Sequence, residues 1–273
     1  MGSFELLQLV VILLYLSGSV IFFAGAFKLG DKAKKTANML AMAGFCVHTL
    51  LLGMSLAQQP LPSLSSAFSM QLLSWALLLV YFLVWWRLKL AFLAMTASPL
   101  ALLLFALSLK ATTHSELPKS LSGLFFGLHI GALFASIALL AMAFGAGVIF
   151  IHLEKKIKTK AKISDFDKDL PALATIDKVN HVAVAIGFPL YTLGLVAGFV
   201  WATSAFDRVF SWDPKEVVAL VTWFVFAILF HQRTMLGWRG RKPAVMAVWV
   251  FAITIFSLIG INFFVHTHHS FKP

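Results

Sequence analysis

Eight long apolar runs leave this chain very little choice of fold. They lie at about Leu6–Phe27, Asn38–Ala57, Phe68–Trp86, Leu90–Leu109, Leu124–His152, His181–Thr203, Glu216–Met235 and Ala244–Val265. A helix rises about 1.5 Å per residue, so each run is long enough to cross a hydrocarbon core of about 30 Å. In lipid every backbone N–H and C=O needs a partner within the protein, which limits a spanning segment to a helix or a closed barrel strand. Runs of this length predict helices. The fold class expected is therefore an all-α integral membrane protein, a bundle of about eight transmembrane helices forming a single domain over residues 1–273. Only 12% of the residues are charged and 60% are hydrophobic, against about 25% charged in ordinary soluble domains. The run Leu6–Phe27 is too long for a signal-peptide core, lacks a basic leader and a small-residue cleavage site, and reads as a retained first span.

The net charge of +11 suggests nucleic acid only until the basic residues are placed. Lys28, Lys32, Lys34 and Lys35 follow the first run; Arg87 and Lys89 follow the third. Lys155, Lys156, Lys158, Lys160, Lys162, Lys168 and Lys178 follow the fifth, and Arg233, Arg239, Arg241 and Lys242 end or follow the seventh. Of 22 Lys and Arg residues only Lys110, Lys119, Arg208 and Lys215, in the intervening loops, and Lys272, after the last run, fall on the other side. By the positive-inside rule the first set faces the cytoplasm. Both termini and the stretch Ser211–Glu216 then face outward, and little charge is left for nucleic acid. The polar segment Leu153–Asn180 reads as a solvated cytoplasmic linker. Pro99 and Pro189 lie within spans and are expected to kink or break them unless neighbours satisfy the freed carbonyls. The single cysteine, Cys46, excludes an internal disulfide, a C-x-x-C redox pair and a C-x-x-C-H haem-attachment site.

Histidines carry the chemistry available within the spans. His129 lies about six residues inside the outer end of the fifth span, and His269 lies just beyond the outer end of the eighth. Both fall on the side of Trp212, Asp213 and Glu216. Two imidazoles and an aromatic shelf suit axial ligation of a haem, but spacing alone also allows a packing histidine at His129 and a solvated metal-binding tail at His266, His268 and His269. His231 sits near the inner end of the seventh span and could equally be an interfacial group. His48 is roughly mid-membrane and needs a partner there. Asp213-Pro214-Lys215-Glu216 reads as a helix start: an N-cap, a proline at the first helical position and the acid of a capping box.

Beyond that the residues resemble a known family. Trp212-Asp213-Pro214-Lys215-Glu216, with Phe230-His231-Gln232-Arg233 ending the span that follows, is similar to the CcsA/ResC family of cytochrome c assembly proteins, part of a haem-handling superfamily with a tryptophan-rich (WWD) outer loop. Asp177-Lys178, Ile186-Gly187-Phe188-Pro189-Leu190-Tyr191-Thr192-Leu193-Gly194 and Gly198-Phe199-Val200-Trp201-Ala202 resemble the span before that loop. Leu128-His129, His268-His269-Ser270-Phe271 and Val47-His48-Thr49-Leu50 extend the likeness over most of the chain. The resemblance implies that His129 and His269 are outer ligands of haem iron, that Trp212, Asp213 and Glu216 shape the face on which haem lies, and that His231 binds haem within the membrane. It implies haem b as a transient, non-covalent cargo and no catalytic residue in the chain itself. A ResB/CcsB-like membrane partner and apocytochrome c complete the implied haem-attachment complex in a bacterial cytoplasmic (inner) membrane. That partner is one candidate source of a second inner ligand, and His48 is another.

The loop before Trp212 reads Ser204-Ala205-Phe206-Asp207-Arg208-Val209-Phe210-Ser211 and has fewer tryptophans and glycines than the family's. HemX-like relatives, which share the eight-span architecture and influence haem biosynthesis, are therefore the second expectation. A small-solute transporter would show internal symmetry between halves, which this chain lacks. The charge pattern predicts the outcome of cysteine labelling in a Cys46→Ser background. A cysteine at Ser204 should react with an impermeant maleimide in intact cells, whereas one at Lys160 should react only after permeabilisation. Labelling at Lys160 in intact cells would invert the topology.

Overall fold

The computed structural model describes residues 2–25, 30–58, 65–111, 124–206, 210, 212 and 214–261. Among the described residues the regular elements are all helical: α1 (Ser3–Ala24), α2 (Gly30–Gln58), α3 (Ser66–Leu88), α4 (Ala94–Ser108, entered through a 3₁₀ turn at Ala91–Leu93), α5 (Leu124–Lys158), α6 (Asp165–Lys168), α7 (Leu173–Phe206), α8 (Pro214–Thr234) and α9 (Arg241–Ile255, continued by a π-turn at Phe256–Ile261). All but α6 belong to the eight helices long and apolar enough to cross a membrane, as the eight apolar runs require. The helices gather into two compact units: Met1–Ser115 with Ile163–Leu170, and Glu116–Lys162 with Pro171–Pro273.

The polar segment Leu153–Asn180 differs from its expectation as a solvated linker. Its beginning is the last turn of α5 and its end is the first two turns of α7. The α5 extension is stabilised by Lys155, Lys156 and Lys158 at the negative end of the helix dipole and by an i,i+4 pair between Glu154 and Lys158 at 2.8 Å. Between the two lies α6, whose N-cap Ser164 and residue Asp167 form a reciprocal capping box. Lys34 of α2 pairs with Asp169 just beyond it. At 35 residues α5 is over-long for a single crossing. Both α4 and α7 run through Pro99 and Pro189 without a break.

In the first unit α1 packs along α2 and α4, and α3 along α4 and α2. Lipid tails are as apolar as leucine, so close van der Waals packing and hydrogen bonds between helices have to hold such a bundle together. Ser19 and Ser98 hydroxyls meet at 2.8 Å, Ser74 donates to the carbonyl of Ala101 at 2.8 Å, Tyr81 donates to Asn38 at 2.9 Å, and the Trp75 indole donates to Thr49 at 2.9 Å. At the α1–α2 contact the Tyr15 ring lies against Gly44, where a Cβ would come within 2.7 Å of it. Tyr15 is fully buried and cannot withdraw.

In the second unit α5 is the central helix. It packs most extensively on α7 and also on α9, while α8 covers α7 and α9. Its inward positions are small where neighbours come closest: Ala138, Ala141, Ala143 and Ala146 are buried, and Gly147 faces the backbone of Ala244, whose carbonyl oxygen would lie 2.8 Å from any Cβ added there. Ser136 donates to the carbonyl of Gly187 at 2.7 Å, and Asn180 donates to that of Ala143 at 2.9 Å. The Gly44 packing predicts that Gly44→Val destabilises the first unit by about 1–3 kcal/mol, the usual range for overpacking a filled interface. Thermal unfolding in detergent should show a lower midpoint than for Gly53→Val, where a Cβ meets nothing within 4 Å.

Candidate functional site

The first turn of α5, the last turns of α7 and the start of α8 meet at one end of the second unit. Contacts fix this directly: His129 of α5 reaches Gly194 of α7, and Phe126 reaches Trp201, with ring centroids 5.0 Å apart. The other end of the unit carries the last turn of α5, the first turns of α7, the end of α8 and the start of α9. There Arg241 pairs with Glu154 at 3.3 Å and Arg233 with Asp177 at 2.9 Å. Basic residues that follow the fifth and seventh spans thus share an end, as the charge alternation requires.

His129 is half-buried, with Nδ1 2.7 Å from the carbonyl oxygen of Gly194. A carbonyl only accepts, so Nδ1 is the protonated nitrogen and the neutral ring keeps its lone pair on Nε2. The ring lies nearly parallel to the Trp201 indole, at 14° with centroids 6.4 Å apart. The Trp212 indole is 79% exposed. It meets Phe210 edge-on at 5.0 Å, and Phe210 approaches Phe199 of α7 at 6.2 Å. The backbone of Trp212 is left-handed, at φ 60°, a conformation that costs a non-glycine residue roughly 1–2 kcal/mol. Pro214 opens α8 and Glu216 falls in its first turn, as the helix-start pattern requires. Asp213 and His269 lie outside the described residues, as do His266 and His268.

His231 stands at the opposite end of α8, 17 residues and therefore about 26 Å from Pro214 along the axis. It is exposed and shares a face of the helix with Val221, Phe224 and Met235, which are 49%, 60% and 67% exposed. His48 belongs to the first unit and is sealed at 0% exposure. Its Nδ1 is 3.0 Å from the Tyr15 hydroxyl, the Phe105 ring packs edge-on against it at 4.7 Å, and its buried Nε2 has no hydrogen-bond partner among the described residues. The structure therefore joins His129 to the aromatic end of the second unit, sets His231 at the far end, and places His48 in the other unit.

Two features escape a reading by residue type. Gly194, Gly198 and Trp201 line one face of α7 at helical spacing; the sequence shows the small-x-x-x-small pattern but not that an imidazole fills it. The second is a buried clamp. Arg233, 2% exposed, donates to the Asp177 carboxylate at 2.9 Å, to the Asp177 carbonyl at 2.6 Å and to the Trp238 carbonyl at 3.1 Å, while the Gly240 N–H donates to Asp177 Oδ1 at 2.9 Å. One guanidinium thus ties the start of α7 to the loop between α8 and α9. Removing one partner of such a pair leaves a buried charge, so Arg233→Ala should cost about 3–5 kcal/mol. Arg233→Lys should recover only part, because a single ammonium cannot reproduce the planar fork. Melting curves of the three proteins test the clamp, and an unchanged midpoint for Arg233→Ala would dismiss it.

The sequence is similar to known proteins over most of its length. The sequence is 29% identical over 227 residues to the cytochrome c biogenesis protein CcsA of Mesostigma viride, covering 74% of each chain. It is 27% identical over 281 residues to that of Chlorella vulgaris, covering 89% of each. A stretch of 119 residues is 41% identical to CcsA of Synechocystis sp., over 44% of this chain and 35% of that one. A family model described as cytochrome C assembly protein matches residues 63–269, which takes in His129, Trp212, His231 and the α7 face between them, and the chain belongs to that family.

Proposed function

We propose that this protein takes part in cytochrome c biogenesis by holding haem at two levels of the membrane and presenting it at the outer face for attachment to apocytochrome c. The observation that carries the proposal is the state of His129. A metal-ligating histidine typically donates its second ring N–H to a carbonyl or carboxylate, which orients the ring and frees the other nitrogen; the bond from Nδ1 to Gly194 is of this kind. The donor set suits haem iron, since neutral imidazole is a good iron ligand.

In this reading His129 and His269 hold the iron of a haem b cargo, and the exposed Trp212 indole lines the haem face. Asp213 and Glu216 start α8 and so fix where the loop stands. Haem supplies the vinyl groups to which the thiols of an apocytochrome C-x-x-C-H segment add; the protein supplies orientation. His231 is the inner ligand. An imidazole on the otherwise apolar outward face of α8 is costly against lipid, and haem together with a ResB/CcsB-like partner would cover it. That partner is then the source of the second inner ligand, because His48 is enclosed in the other unit with its ring packed against Tyr15 and Phe105. The membrane is the bacterial cytoplasmic membrane, with the 204–215 loop and the C-terminus outside.

The test is to purify the protein with its ResB-like partner and record the haem spectrum. Wild type should show low-spin, bis-imidazole absorption. His129→Ala/His269→Ala should lose that absorption at the outer site, and c-type cytochrome maturation should fall to background. Unchanged absorption and maturation in the double variant would refute the proposal. Altered haem-precursor levels with intact maturation would replace it with the HemX-like role.

A further inference from the structure

We infer that the face of α7 made by Gly194, Gly198 and Trp201 is a positioning cradle for His129, fixing its ring in the Nδ1–H tautomer so that Nε2 is the iron donor. The inference rests on reading His129 as a haem ligand and adds what sets that ligand's chemistry. In water the two neutral tautomers of a free imidazole interconvert, and the Nε2–H form has no lone pair at the position where the iron would bind. Here three features act on the ring from one helix. The Gly194 carbonyl takes the Nδ1 proton at 2.7 Å. Gly198, one turn further on, has no side chain, and a Cβ there would overlap Nδ1 and Cε1, the ring edge that carries the hydrogen bond. Trp201, three residues beyond, stacks within 14° of parallel and sets the ring plane.

Helix packing alone does not account for this. The neighbouring contact is ordinary packing: Leu133, one turn along α5, fills the space over Gly194, where a Cβ would lie 2.8 Å from its side chain. Gly198 instead makes room for a polar ring whose proton the Gly194 carbonyl takes. The two glycines that flank His129 on its own helix, Gly127 and Gly131, meet nothing within 4 Å. They therefore provide a control in which a methyl group is added beside the histidine without touching its cradle. Trp201 and Gly198 are positioning residues, since they act through His129.

The experiment uses the full chain in lipid nanodiscs with ¹⁵N-labelled histidine. The His129 signal is the one lost in His129→Ala. Without haem, wild-type His129 should resonate as the Nδ1–H tautomer. With haem and the partner protein present, wild type should show the low-spin band, and Gly198→Ala should weaken haem retention by about 10–100-fold, the usual effect of losing a group that orients a metal ligand. Its haem-free spectrum should show a tautomer mixture, and added imidazole should restore the low-spin band. Gly131→Ala should match wild type in both readouts. If Gly198→Ala does not fold, Trp201→Leu should give the same tautomer mixture, and Trp201→Phe should rescue it by restoring a stacking plane. An Nε2–H form in haem-free wild type, or a wild-type tautomer and haem band in Gly198→Ala, would overturn the cradle. A haem band indifferent to His129→Ala would instead overturn the ligand reading, together with the cradle's role toward iron, while the haem-free tautomer still reports whether the cradle holds the ring.

Discussion

The second unit depends on how closely α7 approaches α5. No hydrophobic force drives two apolar helices together in lipid, so the seam is held by contact between backbones and by the few hydrogen bonds that close approach allows. Ser136 to Gly187 and His129 to Gly194 are two such bonds, seven residues apart along both helices. Both accept at glycine carbonyls, where no side chain keeps the partner away. α8 and α9 then complete the unit against this pair. His129 is thus part of the packing that builds the unit as well as a candidate ligand, and these uses are compatible because they employ different nitrogens of one ring.

The unit's two ends do different work. One gathers aromatic rings: Trp201 stacks on the His129 imidazole and meets Phe126, and Phe199, Phe210 and Trp212 form a chain of ring contacts beyond it. The other is charged and fixed by the Arg233–Asp177 clamp, whose partners lie on α7 and on the loop between α8 and α9. His231 lies two residues before the clamped Arg233 on α8, yet it is exposed while Arg233 is buried. The clamp therefore sets the rotation of α8 that turns His231 outward. In the first unit His48 is enclosed, with Nδ1 against the Tyr15 hydroxyl and Nε2 without a hydrogen-bond partner among the described residues.

Much of this was legible in the residues. Eight apolar runs of sufficient length gave eight helices, because lipid leaves the backbone no other way to satisfy its polar groups. Asp213-Pro214-Lys215-Glu216 marked the start of α8, since proline at the first helical position is a local rule of chain geometry. The linker after the fifth span was less legible. Polarity indicated solvent but did not distinguish solvated coil from solvated helix, and the lysines that suggested a linker instead favour the C-terminal end of a helix.

By itself the sequence determined the number of spans, the alternation of basic loops and the histidines available for chemistry, because these follow from composition and from spacing along one chain. Only the tertiary structure decided which nitrogen of His129 carries the proton, that Arg233 is a buried clamp while His231 faces outward, and that His48 belongs to a different unit. Each of these depends on which side chain or carbonyl comes from another helix, and helix rotation and close approach are set by small residues whose partners lie far away in the chain.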